Sequence, residues 1–466
     1  MPTTISFLLP TNYLLFLIIL IEGFASIAIE ILAIRQLLPV AGGSVVVTSL
    51  IIGIFLLFLA LGYARGGQIN DNCQQKLWLN FFMSALWVGI GLSYLFIAYF
   101  FAVIQAILTP HIIFPLVLYL VLIIAPAIYL LGQTLPITMN IVRQDKTAGL
   151  IVGKALGLST AGSFLGAIVT TLVLMHYLGV AWTVFIVFIL LIILTLLLSL
   201  SIKKVWPTFF LALGTIFFVY FININIESSQ FILTNSHANY QILNHQNASL
   251  PENAKILVIN DTLSSYTNHK NAFPYIEMMA KIIFDDLKSI HAQILVLGAG
   301  GFTLSQNNTG QNHFTYVDID DQIKKVLIPG FISKMKDQLV IDDARHYLIT
   351  HDKKYDIIVV DVYSDYKAMP AYLLTREFMQ QVKAHLNSMN SYALFNVIAN
   401  PTFKDVYSRR INNTILKIFG SCTATPVRYF NGISNIVYTC SNSTDVTDQV
   451  VYTDNLNTST TDSFNW

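Results

Sequence analysis

Seven apolar runs of about 20 residues each constrain this chain more than any other feature; they lie near 12–33, 45–64, 78–104, 111–134, 151–176, 181–201 and 206–224. Roughly 20 apolar residues coiled as a helix cross the ~30 Å hydrocarbon core of a bilayer. Helix is also the form in which a single segment satisfies its own backbone polar groups there. Residues 1–224 therefore read as a transmembrane α-helical domain of about seven spans, with the lipid bilayer as its solvent. The remainder is a different material. Of 27 basic and 26 acidic residues, only twelve precede residue 224, far below the roughly one quarter charged residues of a soluble protein. The first run is retained in the mature chain, because no small-residue cleavage site follows a short apolar core. A net charge of +1 with no basic tract argues against a nucleic-acid partner. Three cysteines are too few for a disulfide framework.

Inside the spans, Gly153-Lys-Ala-Leu-Gly157 and Ala161-Gly162-Ser-Phe-Leu-Gly166 place small residues four apart, the spacing that lets helix backbones approach closely. Glu22 and Glu30 lie in the first span, where an acidic side chain needs a partner or a water-filled cavity. Arg35 and Lys154 are the candidate partners, and a transport or substrate path is the alternative. Pro126 and Pro136 bracket Gln133, a pattern compatible with a broken helix. Loops after spans two, four and six carry Arg65, Lys76, Arg143, Lys146, Lys203 and Lys204, against Arg35 alone after spans one, three and five. Positive charge marks the cytoplasmic side. Seven spans then set the N-terminus inside and the C-terminal half on the extracytoplasmic face of an inner (cell) membrane; one span more or fewer reverses this.

From residue 225 to 440 the pattern becomes alternating short β runs and amphipathic helices. Strands are expected at 240–244, 255–260, 293–298, 313–318, 338–341, 355–361 and 391–397. Helices are expected at 273–288, 321–327, 343–350, 371–386 and 403–418. Such alternation predicts a parallel sheet covered by helices on both faces, an α/β Rossmann-like domain. Two closing strands, 421–429 and 434–440, flank Asn431-Gly432, a hairpin turn signal. That turn sets Cys422 opposite Cys440, close enough for a disulfide, with two buried free thiols as the alternative. Residues 441–466, rich in Ser, Thr, Asn and Asp, are expected to form a loose, disordered tail.

Chemistry in such a sheet gathers at the carboxyl ends of the parallel strands. The strand 293–298 runs into Gly298-Ala-Gly300-Gly301, a turn that lets backbone approach a ligand. The next strand ends at Asp318, where an acid can accept hydrogen bonds from both ribose hydroxyls. Asp343 opens a helix; it can meet an exocyclic amine of adenine or cap that helix. The strand 355–361 delivers Asp361 to its end, followed by a loop with Asp365. Histidines are scattered without metal-ligand spacing, so no metal is expected.

Together, Gly298-Ala-Gly-Gly301, Val317-Asp318-Ile-Asp320, Asp343-Ala-Arg345, Asp361-Val-Tyr-Ser-Asp365 and Leu374-Thr-Arg-Glu-Phe378 resemble the spermidine synthase (polyamine aminopropyltransferase) family. The match is to its membrane-bound bacterial members, whose multispan region Glu30-Ile-Leu-Ala-Ile-Arg35 also resembles. The resemblance implies decarboxylated S-adenosylmethionine as donor, with Gly298, Gly300 and Gly301 against the nucleoside, Asp318 on the ribose and Asp343 near adenine. It implies Asp361 as the acid that deprotonates the attacking amine, putrescine for example. Gln241 (with Tyr240), Tyr275, Glu277 and Asp365 would line the amine site. An amine must be neutral to attack while the rest of a polyamine is cationic, so carboxylates suit both tasks. Two positions depart from the family pattern: Gly301 replaces an aspartate and Ile276 a histidine. The loss of that aspartate opens a second reading, an S-adenosylmethionine-dependent methyltransferase; a third is a non-enzymatic, ligand-binding or transport-linked membrane protein with a path past Glu22 and Glu30. A homo-oligomer is left open.

Overall fold

The structure is a computed structural model. It describes residues 11–42, 44–107, 112–142, 148–244, 254–267, 272–306, 308, 310–328, 330–332, 335, 337–363, 369–388, 390–430, 432–442 and 450–463. The chain forms two compact units, the first running to Gln230 with Thr234–Ser236 and the second made chiefly of His237 onward.

Among the described residues of the first unit, six helices are long and apolar enough to cross a membrane: Leu14–Ala41, Val45–Gly66, Ile113–Ile141, Ile151–Leu178, Val180–Ser201 and Val205–Gln230. The expected span 78–104 is instead two helices, Cys73–Gly91 and Tyr94–Ile107, bent by 71°. Counting the bent pair as one span makes seven. Ser93 starts the second arm, its Oγ accepting from Phe96 N–H (3.3 Å). Three side chains from other helices donate to carbonyls around the break: Asn223 Nδ2 to Gly89 (2.7 Å), Tyr119 OH to Gly91 (2.6 Å) and Gln36 Nε2 to Leu92 (2.9 Å). A helix broken in an apolar medium persists only where its freed carbonyls find such donors. The same logic holds at Pro126, which has no N–H for the Leu122 carbonyl; Trp87 Nε1 donates to it instead (3.3 Å).

Close packing falls on one of the two small-residue motifs. A Cβ at Gly162 would lie 2.1 Å from the Leu20 carbonyl oxygen, one at Gly166 2.5 Å from that of Phe24, and one at Gly23 2.2 Å from that of Ser159. Gly153 and Gly157 face open space. Glu22 accepts from Ser26 Oγ (2.9 Å), Lys154 is exposed, and Arg35 Nε donates to the Asn235 carbonyl (2.6 Å). Nearby in the same unit, Thr234 Oγ1 donates to Glu227 Oε1 (2.7 Å) and accepts from Val180 N–H (3.0 Å), and Ala181 N–H donates to Glu227 (3.2 Å).

The second unit has two sheets. The strands β1 (Leu233–Thr234), β2 (Asn239–Asn244), β3 (Lys255–Ile259) and β4 (Thr262–Thr267) form a four-stranded sheet in sequence order. The strands β5 (Gln293–Leu297), β6 (His313–Asp318), β7 (Gln338–Ile341), β8 (Ile357–Val360), β9 (Tyr392–Ala399), β10 (Cys422–Phe430) and β11 (Ile433–Ser441) form a seven-stranded sheet, ordered β10-β11-β9-β8-β5-β6-β7. The five strands from β9 to β7 are parallel, and β11 and β10 run antiparallel. Their apolar runs read as continuous because helices cover both faces. One core packs Phe378, Val382, Tyr407 and Ile411 on one face, the other Met279, Ile283, Ile323 and Leu327 on the opposite face. Sequence order reverses between β8 and β5, the switch point where Rossmann-like sheets bind ligands. Cys422 and Cys440 are register partners and form a disulfide. Asn431 lies outside the described residues, while Gly432 takes φ +86°. The expected loose tail is a correction: residues 450–463 are ordered, with Tyr452 1% exposed in the core. One aromatic anchor and several charged side chains do what the polar composition obscured.

Candidate functional site

The switch point brings Asp361, Gly298 and Asp318 to one edge. Asp361 follows β8, its N–H donating to the Leu297 carbonyl (3.0 Å) at the end of β5. Gly298 has φ +93°, and a Cβ there would meet the Asp361 carbonyl oxygen at 2.2 Å. Only glycine satisfies both demands. Gly300 also takes a positive φ, +49°.

Asn396 Nδ2 donates to Asp361 Oδ1 (2.8 Å), and Asn396 is itself oriented by Asn435 Nδ2, which donates to its Oδ1 (2.9 Å). The Tyr275 hydroxyl donates to the Ser264 carbonyl (3.4 Å) and stands close enough to Asp361 to lower its proton affinity. Burial pushes the Asp361 carboxyl above the usual aspartate range, and the bond from Asn396 and the nearby Tyr275 hydroxyl pull it part of the way back. Burial, reinforced by the negative charge of Asp361, pushes the Tyr275 phenol well above its ordinary value. The result is a buried acid with raised proton affinity, the property a proton acceptor near neutral pH needs.

Asp318 closes β6. Its Oδ2 accepts from Ala299 N–H (2.9 Å) in the glycine turn and its Oδ1 from Asp320 N–H (3.0 Å). Burial raises its proton affinity and these N–H donors oppose the rise. Asp320, 1% exposed, accepts from the Tyr240 hydroxyl (2.6 Å). Tyr240 thus ties β2 to the loop after β6, and strand alternation turns Gln241 to the opposite face of β2. Glu277, two residues beyond Tyr275 and hence about 200° around its helix, is exposed and accepts from Ala272 N–H (3.2 Å). Of the residues expected around the amine, Tyr275 stands beside Asp361. Asp365 lies outside the described residues.

Asp343 caps the helix Ala344–Thr350, its Oδ1 accepting from Arg345 and His346 N–H (2.9 Å each), and its Oδ2 accepts from the Tyr372 hydroxyl (2.6 Å). At Gly301, a Cβ would lie 2.4 Å from Phe331 and 2.7 Å from Ser265 Cβ, while its N–H donates to Ser265 Oγ (2.8 Å). No larger residue fits unless both neighbours move. Sequence reading missed Asn396, Tyr372 and Ser265. Asn396 was discoverable as the one amide in the apolar run Tyr392–Ala399; the other two have no local signal.

A glycine turn against a strand-end acid, at the switch point of a mostly parallel sheet, defines an α/β domain of Rossmann-like type. Sequence comparison narrows this. The chain is 32% identical over 158 residues to polyamine aminopropyltransferase 2 of Hyperthermus butylicus, covering 31% of this chain and 51% of that protein. It is 32% identical over 160 residues to polyamine aminopropyltransferase of Sulfurisphaera tokodaii, covering 31% and 52%. The chain spans about half the length of these curated relatives. No family model matches. Among solved structures, a probable spermidine synthase from Corynebacterium glutamicum aligns at TM-score 0.37 and 17% identity over 44% of this chain and 78% of that one. A spermidine synthase in complex with the transition state analogue AdoDATO aligns at 0.34 and 17%, over 49% and 82%.

Proposed function

We propose that the C-terminal unit transfers an aminopropyl group from decarboxylated S-adenosylmethionine to a small amine. The observation that carries this reading is Asp361, buried at the switch point with raised proton affinity and held by Asn396, with Tyr275 nearby. As the amine nitrogen bonds to the donor's aminopropyl carbon, the carbon–sulfur bond breaks and its electron pair stays on sulfur, leaving methylthioadenosine. Asp361 accepts the proton that the amine loses. Asp318 holds the ribose, and the turn at Gly298 and Gly300 admits the nucleoside close to backbone. Mixing detergent-solubilised protein with the donor and putrescine, and identifying the nucleoside product by mass, tests the reading: methylthioadenosine supports it. S-adenosylhomocysteine from S-adenosylmethionine supports methyl transfer instead, the alternative favoured by the packed Gly301 position, which leaves no room for a carboxylate.

We further infer that the first unit crosses an inner membrane seven times and that the C-terminal unit is extracytoplasmic. Arg35, near the exit of the first span, donates to the carbonyl of Asn235, which follows the last span. This bond supports an odd number of crossings, and so does the contact with Thr234 of Val180, which lies between the fifth and sixth of the seven spans. Arg35 also leaves the set of loop charges, so the basic bias becomes six to none. A disulfide at Cys422 and Cys440 agrees with that side. A reporter active only in the cytoplasm, fused at residue 450, should be silent. This topology faces away from cytoplasmic adenosyl donors and favours, as a second reading, ligand binding linked to transport. Nucleoside binding without turnover under every amine selects it.

A further inference from the structure

In the first unit Glu22 is 1% exposed although it carries a carboxyl group. Its Oε1 accepts from Ser26 Oγ, one turn on (2.9 Å), while its Oε2 has no hydrogen-bond partner among the described residues. The surroundings are polar and come from four helices. Ile19, Leu135 and Ala155 pack together, with Tyr63 and Leu158 against them. Glu22 lies one turn beyond Ile19, Thr134 beside Leu135 and Ser159 beside Leu158. Close backbone approach joins two of these helices, since a Cβ at Gly23 would meet the Ser159 carbonyl oxygen at 2.2 Å. The hydroxyls of Ser159 and Tyr63 both stand within reach of the Glu22 carboxyl group. Thr134 is fully buried, and its Oγ1 is likewise without a partner among the described residues.

Depth along the helices supplies an entry route. Glu22 is eight residues into Leu14–Ala41 and Tyr63 three residues from the end of Val45–Gly66, or about 12 Å and about 4.5 Å at 1.5 Å per residue. The start of the first span and the end of the second share one face, the one that carries Arg65. Tyr63, half-buried, therefore stands between that face and Glu22. The helices Thr134–Val142 and Val180–Ser201, also packed on the first span, contain no titratable side chain. Lys154 is exposed, and Glu30 lies about two turns further along the first helix, half-buried. A bare carboxylate is costly at such depth, and a proton on it removes that cost.

We propose that Glu22 is a proton-binding site of the first unit, loaded and unloaded through Tyr63 from the face that bears the basic loops. In loading, the Tyr63 hydroxyl gives its proton to Glu22 Oε2 and takes another from water at that face; unloading is the reverse. The inference rests on the membrane reading above and gives the transport-linked alternative its coupling ion. It involves no residue of the C-terminal unit.

Infrared spectroscopy of the full chain in phosphatidylcholine vesicles tests it. Raising the pH should remove a protonated-carboxyl absorption that Glu22→Gln lacks at every pH, and transfer to D2O should shift that absorption. Tyr63→Phe should keep the absorption and slow its exchange by a factor on the order of 10², the scale of a lost proton donor. Glu30→Gln should change neither. An absorption retained in Glu22→Gln, or one that neither titrates nor exchanges, makes Glu22 structural and overturns the proposal. Wild-type exchange in Tyr63→Phe overturns it too, as does an absorption that sodium chloride removes at constant pH, which assigns the site to an alkali cation. Should Glu22→Gln fail to fold, Ser26→Ala takes its place: loss of the donor to Oε1 should move the absorption, and an unmoved one overturns the proposal. Protein that will not enter vesicles removes the membrane reading itself and this proposal with it.

Discussion

The two units spend the same residue types on opposite problems. In the first unit glycine stays helical and is there for what it lacks: Gly23, Gly162 and Gly166 let carbonyl oxygens of a neighbouring helix approach within 2.1–2.5 Å of where a Cβ would sit. In the C-terminal unit Gly298 and Gly300 are there for their positive φ. Polar side chains divide likewise. Asn223, Tyr119, Gln36 and Trp87 each donate to one backbone carbonyl of another helix. Asp361, Asn396 and Asn435 form a chain of side chains, and Asp343, Thr375 and Asp405 cap helices. In the apolar first unit polarity repairs backbone; in the C-terminal unit it builds sites and ends elements.

The contrast is sharpest at Asp361. Asp361→Asn should lower turnover by a factor on the order of 10² to 10⁴, the usual loss with a general base, with nucleoside affinity nearly unchanged. Parallel loss of affinity, measured by titration, would assign the residue to binding instead. Removing the disulfide comes next. Its cysteines are 18 residues apart, and a loop of that size gives about 3 kcal/mol in the chain-entropy model, so Cys422→Ser should lower the unfolding free energy of the C-terminal unit by that amount in a denaturant titration. Both thiols alkylated in protein taken directly from cells would refute the bond and the extracytoplasmic placement together.

Glycine substitutions break the comparison if they behave alike everywhere. Gly162→Ala should destabilise by roughly 1–3 kcal/mol through overpacking, whereas Gly153→Ala, facing open space, should be neutral in thermal unfolding. Asp318→Asn should weaken nucleoside binding about tenfold, the scale of one charge-assisted bond; equal affinity would sink the ribose assignment. The smallest effect is a sign. Burial holds Asp361 above its ordinary value of 3.8, so its contribution to stability is complete below that value and is lost as pH rises through the folded one. The Asn variant should therefore melt above wild type at pH 7, with the gap closing toward pH 4. A lower melting temperature at pH 7 would show that the bond from Asn396 and the nearby Tyr275 hydroxyl outweigh desolvation.

Much of this molecule was legible from neighbouring residues. Spans 45–64 and 181–201 fall within helices Val45–Gly66 and Val180–Ser201, because apolar length is a local property. The strands 293–298, 313–318 and 338–341 appear nearly residue for residue, because apolar runs bounded by Gly, Asp and Asn encode their own ends. The register of Cys422 with Cys440 followed from counting outward from one turn.

Tertiary structure decided what depends on residues far apart in the chain. The break at Ser93 stands because Asn223, Tyr119 and Gln36 arrive from other helices to satisfy its carbonyls. Gly162 rather than Gly153 packs because Leu20 lies against it. Asp361 gains its proton affinity from burial and its orientation from Asn396, a residue 35 positions away. The tail folds back because Tyr452 finds a core slot and Asp454 finds Arg345. Hydrophobic period and turn chemistry act over a few residues and so can be read in order along the chain. Desolvation, hydrogen-bond completion and close approach are properties of the atoms that packing brings together, and only the folded chain supplies them.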